Sequence, residues 1–197
     1  MQHAADQMED WRAQLPVPLS WTDENSPVPE TGNVPSPQPF RVTNAPDEPL
    51  ADPDRWNLVT AQLRNKFYFM RSWIFQPYIY QALHFPEEVK PGSGDKIARC
   101  LQDILLASIT MYPLRPQRIL VPDLFSYSSN FLNSLLILQM IPDNTVLNSV
   151  ARERLDETEH IASVRTYLSW LKDMTAIDGI AAWSWGILPK LYPGFGA

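Results

Sequence analysis

The sequence predicts an all-α protein in which five to six helices surround one core, preceded by a proline-rich extended arm. From residue 54 onward, apolar residues recur at spacings of three and four, which is the period of a helix, and no alternating run of comparable strength predicts a strand. Of the 19 prolines in the 197 residues, ten lie within the first 53. The same 53 residues hold nine acids against two bases, so the formal charge of -6 belongs mainly to this arm.

The arm and the helical part are expected to divide at residue 53. Residues 2–13 are expected to form a short helix, which is followed by an acidic segment without any helical or strand period. Pro residues at this density prevent regular helix, so the segment is predicted to be extended. A fully solvated linker rarely carries two tryptophans, and Trp11 and Trp21 therefore predict that the arm docks on the body, residues 54–197.

The first long helix is predicted to start at Asp54, whose carboxylate suits an N-cap. Pro77 lacks an amide donor and is expected to kink or interrupt this helix near Phe75 or Gln76. The predicted inward positions are Trp56, Val59, Leu63, Phe67, Met70, Ile74 and Tyr78.

Two further helices are predicted after the Pro-Gly-Ser-Gly turn at residues 91–94. Asp95 is expected to cap the first of them, with Pro113 ending it. Its inward positions are Ile97, Leu101, Ile104, Leu105, Ile109 and Tyr112. Pro122 suits the first turn of the next helix, which runs to Pro142. Because that helix is apolar around much of its circumference after Phe131, it is expected to be the central and most buried one.

The last third of the chain predicts three more helices. A short one spans residues 143–155, and Asp156 then starts the next as an N-cap, with Glu159 three residues later as in a capping box. The predicted inner stripe of that helix is Ile161, Val164, Leu168, Leu171 and Met174. A final helix is expected over residues 178–188.

Composition excludes several classes of protein. A single cysteine, Cys100, forms neither an intramolecular disulfide nor a structural zinc site, and predicts a reducing compartment. The polar, acidic start does not resemble a signal peptide, and the longest apolar runs fall short of the roughly 18 residues of a membrane span. A soluble intracellular chain with no membrane contact is expected. The nearly neutral body has no Lys/Arg stripe, so no direct nucleic acid binding is expected either.

Recognisable catalytic and metal-binding patterns are missing from the sequence. His84, His160 and Cys100 are isolated, which predicts no metal site, and no cofactor motif is present. Cys100 lies on a helical stripe and is interpreted as a packing residue. If the chain were an enzyme, the first polar groups to consider would be His84, Arg71, Tyr80 and Asp178. His84 is the best acid or base among them, since the ordinary pKa of histidine is about 6.5.

Aromatic residues are unusually frequent in the predicted helices. Such rings most often form core, but they also allow a pocket for a hydrophobic small molecule, with candidate lining residues Trp73, Trp170, Trp183 and Trp185. Arg71 lies within the run FYFMRSWIF, and a charged residue among aromatic rings must reach solvent or find a partner. One hypothesis is therefore a buried ion pair between Arg71 and an acid.

The run LRNKFYFMRSWIFQPYIYQALHFPEE at residues 63–88 resembles a segment of fungal zinc-cluster transcription factors. That segment reads approximately Leu-Arg-x-x-Tyr-x-x-x-Arg-x-x-Ile-x-Arg-Pro-x-x-Tyr-x-Ala-Leu-His. Residues 11–24, 118–140 and 167–193 are similar to other parts of the same region, in the same order. Gln76 departs from the pattern, which usually has Arg there. Matching residues are Arg64, Tyr68, Arg71, Ile74, Pro77, Tyr80, Ala82, Leu83, His84, Asp178 and Trp183.

The resemblance implies the C-terminal part of the helical regulatory (middle homology) region of such a factor, without its six-cysteine DNA-binding module. It implies a non-catalytic role in transcription regulation through a protein partner or a small effector, in the nucleus or alternatively the cytoplasm. A homodimer is possible, and the sequence would begin inside the regulatory region. Two alternatives remain: a small enzyme or binding protein for a hydrophobic molecule in a secondary-metabolite pathway, and an inhibitor that occupies a full-length factor's partner surface.

Overall fold

The computed structural model describes residues 1–23, 52–111 and 124–195, and these ranges contain α-helices and no strand. The helices are α1 (Gln2–Ala13), α2 (Asp52–His84), α3 (Ser93–Met111), α4 (Leu124–Met140), α5 (Thr145–Arg154), α6 (Glu157–Met174), α7 (Gly179–Trp185) and α8 (Leu188–Leu191). The predicted all-α class is confirmed. The six helices predicted for the body are all present in order, and the single-turn α8 follows them.

Helix ends in the second half of the chain are set by side-chain caps. The carboxylate of Asp156 accepts a hydrogen bond from the Glu159 backbone N–H at 2.9 Å, as predicted. Asn144 and Asp178 cap α5 and α7 in the same way. The turn before α3 uses Gly92, whose φ of 88° favours glycine because a Cβ is strained there. Of the kink or interruption expected at Pro77, the interruption is wrong, since α2 runs through this residue.

The most enclosed helix among the described residues is α3. It packs against α2, α5 and α6, and the four consecutive residues from Ala107 to Thr110 are all buried, which is more than one full turn. The expectation that α4 is the most buried helix is wrong, because Leu136 of α4 is 40% exposed and a smaller share of the described residues of α4 than of α3 is buried. The five described inward positions of α3 are all buried, while Tyr112 and Pro122 lie outside the described residues.

The buried face of α2 is not the predicted one. Of the predicted positions only Phe67 is buried, and Met70 is 53% exposed; the Trp56 side chain lies outside the described residues. One line of buried positions at spacings of three and four is Ala61, Asn65, Tyr68, Ser72, Phe75, Ile79 and Ala82, and Phe67, Phe69 and Arg71 beside it are buried as well. Because this face includes an amide and a hydroxyl, counting apolar residues alone missed it. Ile161 of α6 is likewise exposed rather than inward.

The N-terminal residues 1–23 lie along α2. Trp11 stacks on Phe67 with ring centres 6.3 Å apart, and Trp21 meets the same ring edge-on at 5.6 Å. The hydroxyl of Thr60 also donates a hydrogen bond to the carbonyl of Pro18 at 3.2 Å. These contacts attach the segment to the body. Residues 24–51, which make up most of the predicted arm, lie outside the described residues.

Candidate functional site

Arg71 is almost completely buried, with 1% of its surface exposed, on the side of α2 that faces α3. Its Nε donates to both carboxylate oxygens of Asp103, at 3.1 and 2.9 Å, and its Nη2 donates to Oδ1 at 2.6 Å. Asp103 is itself fully buried on α3. The hypothesis of a buried ion pair at Arg71 is confirmed, and the acid is Asp103.

The N-terminal segment supplies two more carboxylates to this guanidinium. Glu9 pairs with Arg71 Nη1, and Asp23 lies 3.9 Å from Nη2. Arg12 bridges the two acids at 2.6 and 2.5 Å, and the hydroxyl of Tyr68 donates to Asp23 at 2.7 Å. A single polar network therefore joins the N-terminal segment, α2 and α3. We call it the Arg71 cluster: Glu9, Arg12, Asp23, Tyr68, Arg71 and Asp103.

The pKa values of the cluster follow from burial and charge. Burial raises the pKa of Asp103 to about 6, outweighing the hydrogen bonds and charge of Arg71 that lower it. For Asp23 the balance is opposite: burial alone raises its pKa, but the hydrogen bond from Tyr68 and the charges of Arg12 and Arg71 lower it below the ordinary value. Burial and the Asp23 carboxylate raise the pKa of Tyr68 to about 12. At neutral pH both acids are ionised and Tyr68 is protonated, so the cluster is a set of satisfied charge pairs.

Cys100 lies next to the cluster on α3 and is buried. Its thiol contacts the carbonyl of Ser72 at 3.3 Å. Burial, together with the charge of Asp103, raises the pKa of the thiol. A protonated, enclosed thiol is a packing group, since nucleophilic reactivity requires the thiolate.

The four polar groups considered for an enzyme do not share a site. Tyr80 and His84 are in contact in the last turns of α2, with ring centres 4.3 Å apart, and both are exposed. Arg71 is 13 positions from His84 on the same helix, about 20 Å away at 1.5 Å per residue. Asp178 caps α7 through the Ala181 backbone N–H. An active site built from these four groups is therefore not formed.

The four candidate tryptophans are also separated. Trp170 is in the core, and Trp183 is 62% exposed on α7. Trp185 is half-buried, with the Lys172 ammonium 5.5 Å from its ring centre. Trp73 borders a cavity of about 220 Å³ between α2 and α4, which the other three do not line. Trp170, Trp183 and Trp185 therefore do not share this cavity with Trp73.

The outward face of α2 carries an unusual surface. Between Val59 and His84 every exposed residue falls on one line at spacings of four and three, which we call the outer stripe: Lys66, Met70, Trp73, Pro77, Tyr80 and His84. Phe85 extends it, 48% exposed and near the Tyr80 ring. The water-facing line of a helix is normally polar. Here the middle of the line is apolar over four successive positions.

The sequence shows the helical spacing of the outer stripe, but it does not show that this line of α2 faces away from α3. Both the inward face and the outer stripe follow the same helical spacing, so periodicity alone does not say which one meets α3. The deciding fact is the partner of Asn65: its amide donates to the Ala107 carbonyl of α3 at 2.8 Å. The buried Ser72 hydroxyl is satisfied within α2, where it donates to the Phe69 carbonyl at 2.7 Å.

Comparison with known proteins finds no matching protein family, no matching curated protein and no matching solved structure. The resemblance to zinc-cluster transcription factors therefore stays a prediction. Within residues 1–23, 52–111 and 124–195, no helix is both long and apolar enough to cross a bilayer. The same part of the chain has no cluster of three or more His, Cys, Asp or Glu side chains arranged to hold a metal ion.

Proposed function

We propose that this chain is a non-catalytic regulatory domain that acts through protein contacts, in transcription regulation as its resemblance implies. The observation that carries the proposal is the outer stripe, where Met70, Trp73 and Tyr80 are about half exposed on one face of α2. Methionine and aromatic residues are enriched at the centres of protein interfaces, and contiguous exposed apolar surface marks sites of association. The stripe is therefore the surface through which the domain meets a partner.

The roles of the polar groups support a non-catalytic assignment. Arg71 and Asp103 satisfy each other inside the fold, and Asp178 caps the N-terminal end of α7. Among the four polar groups considered for an enzyme, His84 is an exposed candidate base, and its neighbours Tyr80 and Phe85 are aromatic rings. These aromatic neighbours of His84 suit contact with another protein. A nuclear location fits this role, with the cytoplasm as the alternative, and so does action as an inhibitor on a full-length factor.

A transcription reporter tests the proposal. The chain is fused to a heterologous DNA-binding module in yeast, and transcription is compared with the module alone. We expect the fusion to change reporter output at least about threefold, and the Trp73→Glu/Tyr80→Glu variant to return it to baseline. The control is Trp183→Glu, because Trp183 is also a large exposed ring, at 62%, but lies on α7. Reporter output that is the same with and without the domain contradicts the proposal.

The cavity beside Trp73 supports a second candidate function, the binding of a small hydrophobic effector. Phe69, Met70 and Trp73 supply its apolar side, and Ser126 and Asn130 of α4 its polar side. At about 220 Å³ it is smaller than the usual 300–1,000 Å³ of ligand pockets, so only a fragment-sized molecule fits.

Ligand-observed NMR with a library of aromatic fragments tests this second function. We expect binders whose signals recover when Ser126→Phe fills the cavity. A wild-type chain that binds no fragment, or a Ser126→Phe variant that binds the same ones, contradicts it.

A further inference from the structure

We propose that the outer stripe pairs with the outer stripe of a second copy of this chain, the two α2 helices lying antiparallel. The inference rests on the proposed function, because it uses the same surface, and it names the partner. Three observations carry it: the spacing of the stripe, the way its residues match when the helix is reversed, and the charges at its two ends.

The spacing is that of helices that pack along one another. The six stripe residues follow one another at intervals of four, three, four, three and four, which is the seven-residue repeat of a coiled-coil seam. From Lys66 to His84 the stripe is about 27 Å long at 1.5 Å per residue. A partner must therefore present an apolar ridge of similar length, and α2 of a second copy is such a ridge.

Reversing the helix matches every stripe residue with another. When two such seams run antiparallel, the two alternating positions of the repeat face each other. Met70 then faces Tyr80 of the second copy, and Trp73 faces Pro77. Because the arrangement is two-fold symmetric, each of these contacts occurs twice, as in an isologous interface. The four apolar residues bury one another and leave none facing water.

The charges at the two ends select the antiparallel orientation. Lys66 is exposed at the start of the stripe, and Glu87 and Glu88 are exposed just after its end. Helical side chains lean toward the N-terminus, so the Lys66 ammonium extends past His84 of the second copy toward Glu87 and Glu88 of that copy. In a parallel pair Lys66 would face Lys66 and the carboxylates would face each other, which is repulsive.

Sedimentation equilibrium of the full chain tests the pairing. We expect a monomer–dimer equilibrium, a dissociation constant at least about tenfold higher for Trp73→Glu, and no change for the control Trp183→Glu. A wild-type chain that is monomeric at every concentration up to several hundred micromolar overturns the inference. A Trp73→Glu variant that dimerises as the wild type does overturns it as well.

A charge exchange sharpens the same test. Lys66→Glu and Glu87→Lys/Glu88→Lys are each expected to weaken the dimer about two- to fivefold, the range of exposed ion pairs. Combining all three substitutions in one chain restores the attraction and is expected to return the dissociation constant to that of the wild type. A combined variant weaker than either parent overturns the charge pairing.

Cross-linking reads the orientation directly. Mixed chains carrying Met70→Cys and Tyr80→Cys are expected to form a disulfide between the two variants, while Met70→Cys alone is not, because antiparallel packing places its two copies about 15 Å apart. The native Cys100 is buried and does not compete. Efficient cross-linking of Met70→Cys to itself overturns the antiparallel arrangement.

The failure of the pairing and that of the proposed function are distinguishable. A chain that stays monomeric but still changes reporter transcription overturns the pairing and leaves the proposed function standing. A chain that dimerises through the stripe without changing the reporter supports the pairing and contradicts the proposed function.

Discussion

The inner and outer faces of α2 differ in a way that reverses ordinary expectation. Arg71, a charged residue, is 1% exposed, whereas Trp73, two positions later, is 49% exposed. The buried face holds polar groups that have hydrogen-bond partners: Arg71 and the Asn65 amide N–H on α3, and the Ser72 hydroxyl within α2 itself. The outer face is apolar and has no such partner within the described residues. Burial in this helix therefore follows the available partners rather than the polarity of each residue.

The charges of the Arg71 cluster carry a desolvation cost, because Arg71 and Asp103 are buried, whereas the outer stripe buries no charge. Removing two charges from water is expensive, and a buried ion pair often adds little net stability compared with apolar residues of the same shape. Its geometry, however, requires Arg71 to meet Asp103, and requires Glu9 and Asp23 to reach the same guanidinium. We infer that the cluster fixes how α2 and the N-terminal segment sit on α3.

The largest effect is expected from breaking the buried pair. Arg71→Met leaves the Asp103 carboxylate buried without its cation, and the free energy of unfolding is expected to fall by about 3–5 kcal/mol in urea denaturation. The control is Arg71→Met/Asp103→Leu, which removes both charges and is expected to recover most of that loss. A single Arg71→Met variant as stable as the wild type contradicts a structural role for the pair.

A smaller effect is expected where the cluster reaches the N-terminal segment. Asp23→Asn removes the charge that accepts hydrogen bonds from Arg12 and Tyr68, and is expected to cost about 1–3 kcal/mol of unfolding free energy. Asp6→Asn is the matched control, since Asp6 is exposed on α1 and its change is expected to stay within about 0.5 kcal/mol. Equal effects of the two substitutions would show that the cluster does not hold the segment.

Asp103 and Asp23 are expected to change the free energy of unfolding in opposite directions as the pH rises. Asp103 has a folded pKa raised to about 6 from 3.8, so the folded chain keeps a proton that the unfolded chain releases between those values. Its contribution to the unfolding free energy is therefore most favourable below pH 3.8 and falls as the pH rises to about 6. Asp23, with a lowered pKa, contributes fully above 3.8 and less as the pH falls below it.

Urea denaturation at several pH values between 4 and 7 checks this sign. We expect the difference in unfolding free energy between the wild type and Asp103→Asn to favour the wild type more at pH 4 than at pH 7. Asn reproduces the uncharged side chain but does not titrate. A difference that is constant, or that grows toward pH 7, contradicts the raised pKa of Asp103.

The fold class was predictable from the sequence, while the site was predictable only in part. Helical spacing and caps such as Asp156 act locally, so they identify the helices and their ends. The ion pair at Arg71 was foreseeable from a charge among aromatic rings, but its partner Asp103 lies 32 positions away on another helix. The face of α2 that meets α3 was not predictable, because the tertiary partner of Asn65, the Ala107 carbonyl of α3, decides it. For the same reason Met70, which was predicted to lie in the core, lies on the outer stripe.

The central claim is that the apolar face of α2 serves contact rather than the core, and one measurement tests it most directly. This is the free energy of unfolding of Trp73→Glu/Tyr80→Glu, measured in urea at a concentration where the chain is monomeric. We expect a change of less than about 1 kcal/mol, whereas truncating the buried Trp170 to Ala costs about 3–5 kcal/mol. A loss of 3 kcal/mol or more for the double variant would show that the outer stripe is part of the core and would contradict the account.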